Sequence, residues 1–116
     1  MTTVCFYKTN GIYYGFEEQG HTGYGESGDD VLCAALSAMT MLIINSIEVC
    51  YDSNVDYTID EETTDISVKC KSALAQYEKD EKKRFAASGL IEGYFHQLND
   101  LIEEYDEFLD VDIEEE

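Results

Sequence analysis

The sequence predicts an α+β domain of two layers, a mostly antiparallel sheet with two helices, in the order ββαββα. Three observations carry this. Two long stretches of three- and four-residue apolar periodicity lie far apart in the chain, and each follows a pair of short segments rich in β-branched and aromatic residues. Turn-forming or acidic residues join the members of each pair, and neither proline nor an internal repeat breaks the pattern. At 116 residues, 44% of them hydrophobic, the chain can bury a real core as one domain and asks for no second. The expected division is a folded domain over residues 1–110 and an acidic tail over 111–116.

The opening segments "TTVCFYKTN" and "GIYYGFEEQGH" read as strands, and Asn10-Gly11 between them is a strong short-turn signal. A helix is expected from Asp29 or Asp30 to about Cys50, with Val31, Leu32, Ala35, Leu36, Met39, Leu42, Ile43 and Ile47 at helical spacing. Val31 to Ile47 carries no charge, so a membrane span has to be weighed; Ser37, Thr40, Asn45 and Ser46 interrupt it, no Lys or Arg flanks it closely, and no membrane partner is expected. A helix apolar nearly all round is instead expected to be covered on several sides, between a sheet and a partner subunit. "VDYTIDEETTDISVKC" alternates apolar and polar residues on both sides of an acidic turn and reads as a second hairpin. The charged connector "KSALAQYEKDEKKR" leads into the last helix, whose stripe is Leu90, Ile91, Tyr94, Leu98, Leu101, Ile102 and Tyr105. "DVDIEEE" is a charge run, expected to be solvated and frayed.

Charge and cysteine usage narrow the function. With 26 acids against 7 Lys+Arg, a net charge of −19, the chain lacks the cations that phosphate contacts require, so no direct nucleic-acid binding is expected. A basic protein fits better as a partner, although such a charge also serves solubility alone. The start "MTTVCFYK" shows no basic region ahead of an apolar stretch, so a cytoplasmic location with reduced thiols is expected for Cys5, Cys33, Cys50 and Cys70. No C-x-x-C pair occurs and no histidine lies near Cys50 or Cys70, so no metal is expected. Gly23, Gly25 and Gly28 formally match G-x-G-x-x-G, but Glu26, Asp29 and Asp30 stand where a pyrophosphate would need positive charge, and no cofactor is expected. Glycines at that spacing also suit a loop that closes over a ligand.

"GHTGYGESGDDVLCAALSA", from Gly20 to Ala38, joins the second strand to the first helix. With Asp29 or Asp30 as N-cap, Cys33 falls in the first helical turn, where unpaired N–H groups and the positive end of the helix dipole favour a thiolate and could hold an oxyanion. His21, at the end of a strand and joined to the helix by a glycine-rich loop, can fold back to that sulfur. Cys with His is the minimal pair for acyl transfer by a thiol, and a small buried core residue is the other role open to Cys33. Asp29 and Asp30 oppose thiolate formation unless they pair with an imidazolium. His96, beside Tyr94 and Phe95, reads as a surface or packing residue.

This stretch resembles the signature of the ribosomal-processing cysteine protease family (Prp): a G-H dipeptide, a glycine-rich loop, then D-[IV]-[VL]-C-A-x-x-S-A at this spacing. More weakly, "LNDLIEEYDEFL" is similar to the family's acidic terminal helix. The resemblance implies that Cys33 is the nucleophile and His21 its general base, while Gly20, Asp30 and Ser37 fall on positions that the motif fixes. Asp30 would orient His21 or cap the helix, and Ser37, one turn after Cys33, would brace the site or pack the helix. Gly20, Gly23, Tyr24, Gly25, Glu26 and Gly28 would form the substrate-binding loop. Family members are small cytosolic homodimers that trim an N-terminal extension from large-subunit ribosomal protein number twenty-seven, a basic substrate to which the acidic charge is suited. The alternative is a non-enzymatic acidic module that binds a basic ribosomal or nucleic-acid-binding protein.

Overall fold

A computed structural model gives the fold and describes residues 1–20, 27–60, 62–63 and 65–116, with residues 27–30 described by backbone alone. Strands β1 (Thr2–Thr9) and β2 (Ile12–Gln19) are followed by helix α1 (Ser27–Asn45), which continues into a π-helical turn at Ser46–Cys50. Strands β3 (Asp56–Ile59) and β4 (Ile66–Lys69), helix α2 (Glu81–Tyr105) and strand β5 (Leu109–Glu115) complete the chain. The sheet runs β3-β4-β2-β1-β5, antiparallel except where β5 pairs parallel to β1. The predicted two-layer α+β class holds.

Asn10 and Gly11 both take positive φ, 50° and 79°, as a two-residue hairpin turn with the twist of its flanking strands requires. The pairing then continues from Thr9 opposite Ile12. Alternate β1 residues Thr2, Val4 and Phe6 are buried on the face the helices cover, while Thr3, Cys5 and Tyr7 lie half-buried on the other. Phe6 and Phe16 meet Tyr94 of α2 edge to face, at ring-centroid distances of 5.7 and 5.0 Å. Leu32, Leu36, Ile43, Ile44 and Ile47 of α1, with Ala87, Ile91 and Leu98 of α2, complete that layer of core. α2 starts where Asp80 caps it, the side chain accepting from the Lys82 N–H at 2.9 Å.

Two expectations need correction. The acidic end does not fray: Leu109, Val111 and Ile113 alternate with Asp110, Asp112 and Glu114, a period-two pattern that β1 accepts in register from Thr2–Leu109 to Lys8–Glu115. Lys8 Nζ reaches Glu115 Oε2 at 3.3 Å, so one of few cations secures the strand's end. The element order is therefore ββαββαβ, and the folded unit extends through the expected tail. Second, α1 begins at Ser27, ahead of the expected cap, so Asp29 and Asp30 lie inside its first turn. The apolar stripe of α1 is wider than one sheet covers, in line with a helix that is apolar nearly all round, and it leaves Val31 58% and Leu42 62% exposed. Val31–Cys50 is long and apolar enough to cross a membrane; in this fold its buried residues face the sheet and α2, as a core helix does.

Beyond β2 the backbone turns at Gly20, φ 83°, and a Cβ there would run into the carbonyl oxygen of Met1. Gly20→Ala should therefore lower stability by about 1–2 kcal/mol, the cost of a left-handed non-glycine residue, with the close approach adding to it. Urea unfolding measures this, and an unchanged midpoint would show that the turn relaxes freely.

Candidate active site

Residues of β2 and α1 bracket the site. β2 delivers the chain to Gly20, the last described residue before His21 in sequence, and α1 carries Cys33. His21, Gly23, Tyr24, Gly25 and Glu26 lie outside the described residues; Gly28 and Asp30 fall within α1 by backbone alone. Of the expected site residues the structure thus places Gly20, Cys33 and Ser37 with their surroundings.

Cys33 is half-buried between fully buried Leu32 and exposed Ala34, at the border where the core-facing stripe of α1 meets solvent. Such a position anchors the residue yet leaves its side accessible to a polypeptide. Ser37, one turn later, is exposed. Because α1 starts at Ser27, Cys33 is in the second turn, not the first. The N–H groups without helical partners belong to the first turn, and the dipole's effect fades within it, so those amides no longer stand beside the sulfur as oxyanion donors. Asp30, inside the helix, is no longer at the cap position.

The other thiols are less suited to nucleophilic attack, with the exception of exposed Cys50. All four cysteines are outside disulfides. Burial pushes the Cys5 thiol up, with Glu114, Asp112 and Glu17 adding to the effect on the outer sheet face. Burial likewise pushes Cys70 up, and its sulfur lies 2.9 Å from the Ser72 hydroxyl. Cys50 ends the π-helical turn. His96 is exposed, 3.4 Å from Glu92 Oε2 one helical turn away, as its surface reading expected. Among the described residues no group of three or more His, Cys, Asp or Glu could hold a metal.

One buried polar cluster escaped the sequence reading. Glu18 on β2, completely buried, accepts at Oε1 from the Thr40 hydroxyl at 3.0 Å and from the Tyr94 hydroxyl. Burial and the Glu18 charge both push the Tyr94 phenol up, so it stays a donor. The signal was present: strand alternation puts Glu18 in phase with inward Phe16, and Thr40 lies in register with buried Leu36, Ile43 and Ile47.

A family model described as Cysteine protease Prp matches residues 1–110. The fold is similar to that of SMU.848 from Streptococcus mutans, at 29% identity and a TM-score of 0.80, covering 100% of this chain and 99% of that one. It is also similar to an essential ribosomal processing protease Prp from S. aureus in complex with a substrate peptide, at 20% identity, a TM-score of 0.79, and 98% and 100% coverage. The same S. aureus protease with a covalently linked product peptide gives 21% identity and a TM-score of 0.77, again covering 98% and 100%. No relative matches among curated proteins. With the family model spanning nearly the whole chain and the sheet and helices superimposing end to end on solved relatives, this chain belongs to the Prp family of cysteine proteases.

Proposed function

We propose that this protein is an endopeptidase that removes the short N-terminal extension of large-subunit ribosomal protein number twenty-seven in the cytoplasm, supporting ribosome assembly. One observation carries the reading: a half-buried, solvent-bordering Cys33 on the helix after Gly20-His21, where the family signature has its nucleophile. The S. aureus relative, a ribosomal processing protease bound to substrate and product peptides, supports the substrate class. A net charge of −19 supports a basic protein as that substrate and disfavours direct nucleic-acid contact.

His21 takes the Cys33 thiol proton, and the thiolate attacks the scissile carbonyl carbon. As the tetrahedral intermediate collapses, the C–N bond breaks and His21 returns the proton to the leaving amine. Water, deprotonated by His21, then cleaves the thioester and restores the thiol. Asp30 orients His21, Ser37 braces the site, and the loop of Gly20, Gly23, Tyr24, Gly25 and Glu26 closes over the peptide, while Gly28, expected in that loop, belongs to the first turn of α1. No cofactor or metal enters this chemistry. Incubating the purified protein with the N-terminally extended ribosomal protein tests the assignment by mass spectrometry: trimming supports it, whereas capture without cleavage favours an acidic binding module.

The exposed apolar side of α1 supports a homodimer, since Val31, Leu42 and Val49 are 58%, 62% and 77% exposed on a helix whose opposite side is core. Sedimentation equilibrium should give a dimer for the native chain and a monomer for Leu42→Glu, which would bury two uncompensated charges at a twofold contact. A monomeric native chain would contradict the dimer.

A further inference from the structure

We infer that Glu18 and Thr40 are positioning residues for catalysis: the hydrogen bond from Thr40 Oγ1 to Glu18 Oε1 sets α1 against β2 and so sets Cys33 against the strand that leads to His21. This inference rests on the Cys33–His21 reading above.

A carboxyl group that is completely buried in a core otherwise built from Phe6, Phe16, Leu36 and Ile91 is costly, because desolvation must be offset by hydrogen bonds. Well-packed apolar residues in its place would be neutral or stabilising, so stability gives no reason for Glu18 to be there. Geometry gives one. Glu18 precedes Gly20 by two residues on β2, and His21 follows next in sequence. Thr40 follows Cys33 by seven residues, two helical turns, on the same side of α1. From this one bond, about 7 Å of strand leads to Gly20 and about 10 Å of helix leads to Cys33, both toward the connection between β2 and α1.

The Tyr94 hydroxyl lies 3.5 Å from both Thr40 Oγ1 and the Leu36 carbonyl oxygen, and the core contacts of α1 through Leu32, Leu36, Ile43 and Ile44 are apolar. Such contacts hold the helix on the sheet but are non-directional, so they fix its axial position less sharply than a hydrogen bond with a 3.0 Å optimum. Thiol and imidazole must meet within hydrogen-bond reach, and a slip of an ångström between their elements is enough to slow the chemistry. Tyr94 donates to the same Glu18 oxygen from α2, which carries neither candidate residue. Its 3.5 Å contacts with Thr40 Oγ1 and the Leu36 carbonyl oxygen reach α1 as well, so removing its hydroxyl loosens the junction but leaves the 3.0 Å bond between β2 and α1 in place.

The test compares steady-state cleavage of the extended ribosomal protein by Thr40→Val, Thr40→Ser and Tyr94→Phe. Thr40→Val should lower kcat about tenfold with KM little changed. Thr40→Ser, which keeps the hydroxyl, should restore it, and Tyr94→Phe, which leaves the Thr40–Glu18 bond in place, should lose less kcat than Thr40→Val. The triple variant Glu18→Leu/Thr40→Val/Tyr94→Phe guards against a simple folding defect: it leaves no member of the cluster buried without its partner, so it should melt close to the native chain yet lose kcat as Thr40→Val does. Equal losses for Thr40→Val and Tyr94→Phe, or full kcat in Thr40→Val or in the triple variant, would overturn the inference. A Cys33→Ala control separates it from the reading beneath: if Cys33→Ala is inactive while Thr40→Val is unaltered, only the positioning role fails, and if Cys33→Ala still cleaves, the nucleophile assignment fails.

Discussion

Replacing Cys33 with alanine should reduce cleavage by a factor on the order of 10⁴ or more while the fold persists. Alanine has the highest helix propensity, and the removed sulfur sits at a half-buried border rather than in the core, so little packing is lost. On the proposed mechanism, what is lost is the atom that forms the acyl bond, for which no other side chain substitutes. Cys5→Ala and Cys70→Ala should retain activity apart from stability losses, since burial holds both thiols away from the thiolate form. Cys50→Ala should also cleave. Iodoacetamide at neutral pH gives a second reading: in a Cys50→Ala background it should label Cys33 ahead of Cys5 and Cys70. Equal labelling of all three would argue against an activated thiol.

Raising salt should lower kcat/KM on the order of tenfold while leaving turnover at saturating substrate nearly unchanged. With a net charge of −19, the protein presents a negative field to a basic substrate, and its last strand adds Asp110, Asp112 and Glu114 to the outer side of the sheet. That field influences encounter rather than the chemical step. At physiological ionic strength screening confines it to about 8 Å, so its contribution fades as salt rises further. A salt-independent kcat/KM would mean that the charge serves solubility alone. Activity against pH should separately show two limbs, whose midpoints belong to the coupled Cys33–His21 pair rather than to either residue.

Local signals were legible in the sequence where one residue type fixes a backbone state. Asn10-Gly11 announced its turn and takes the two positive φ values such a turn requires. The spacing of Ile91, Tyr94 and Leu98 announced the buried face of α2. Glu18 was not singled out and the closing strand was read as a frayed tail, for related reasons. Each contains acids at positions whose meaning depends on a distant partner: Thr40 and Tyr94 for Glu18, and all of β1 for β5. Charge density suggested solvent for the closing strand, whereas period-two alternation, the weaker cue, was correct there and also puts Glu18 in phase with inward Phe16. The start of α1 was misplaced because Asp29 and Asp30 are good capping types, yet the helix nucleates earlier, at Ser27. For the site, the motif singled out Cys33 and Gly20 as candidates, while the tie between their elements is a tertiary contact with no local signature.

Trapping the acyl-enzyme tests the account most directly. The native protein is mixed with the N-terminally extended ribosomal protein, quenched in acid during the first turnovers, and its intact mass is measured with peptide mapping of the adduct. The account expects the released fragment of the extension to be joined as a thioester to Cys33, the trimmed protein to accumulate alongside, and both to be missing with Cys33→Ala. A trimmed product that forms equally with Cys33→Ala, or an adduct on a different residue, would contradict it.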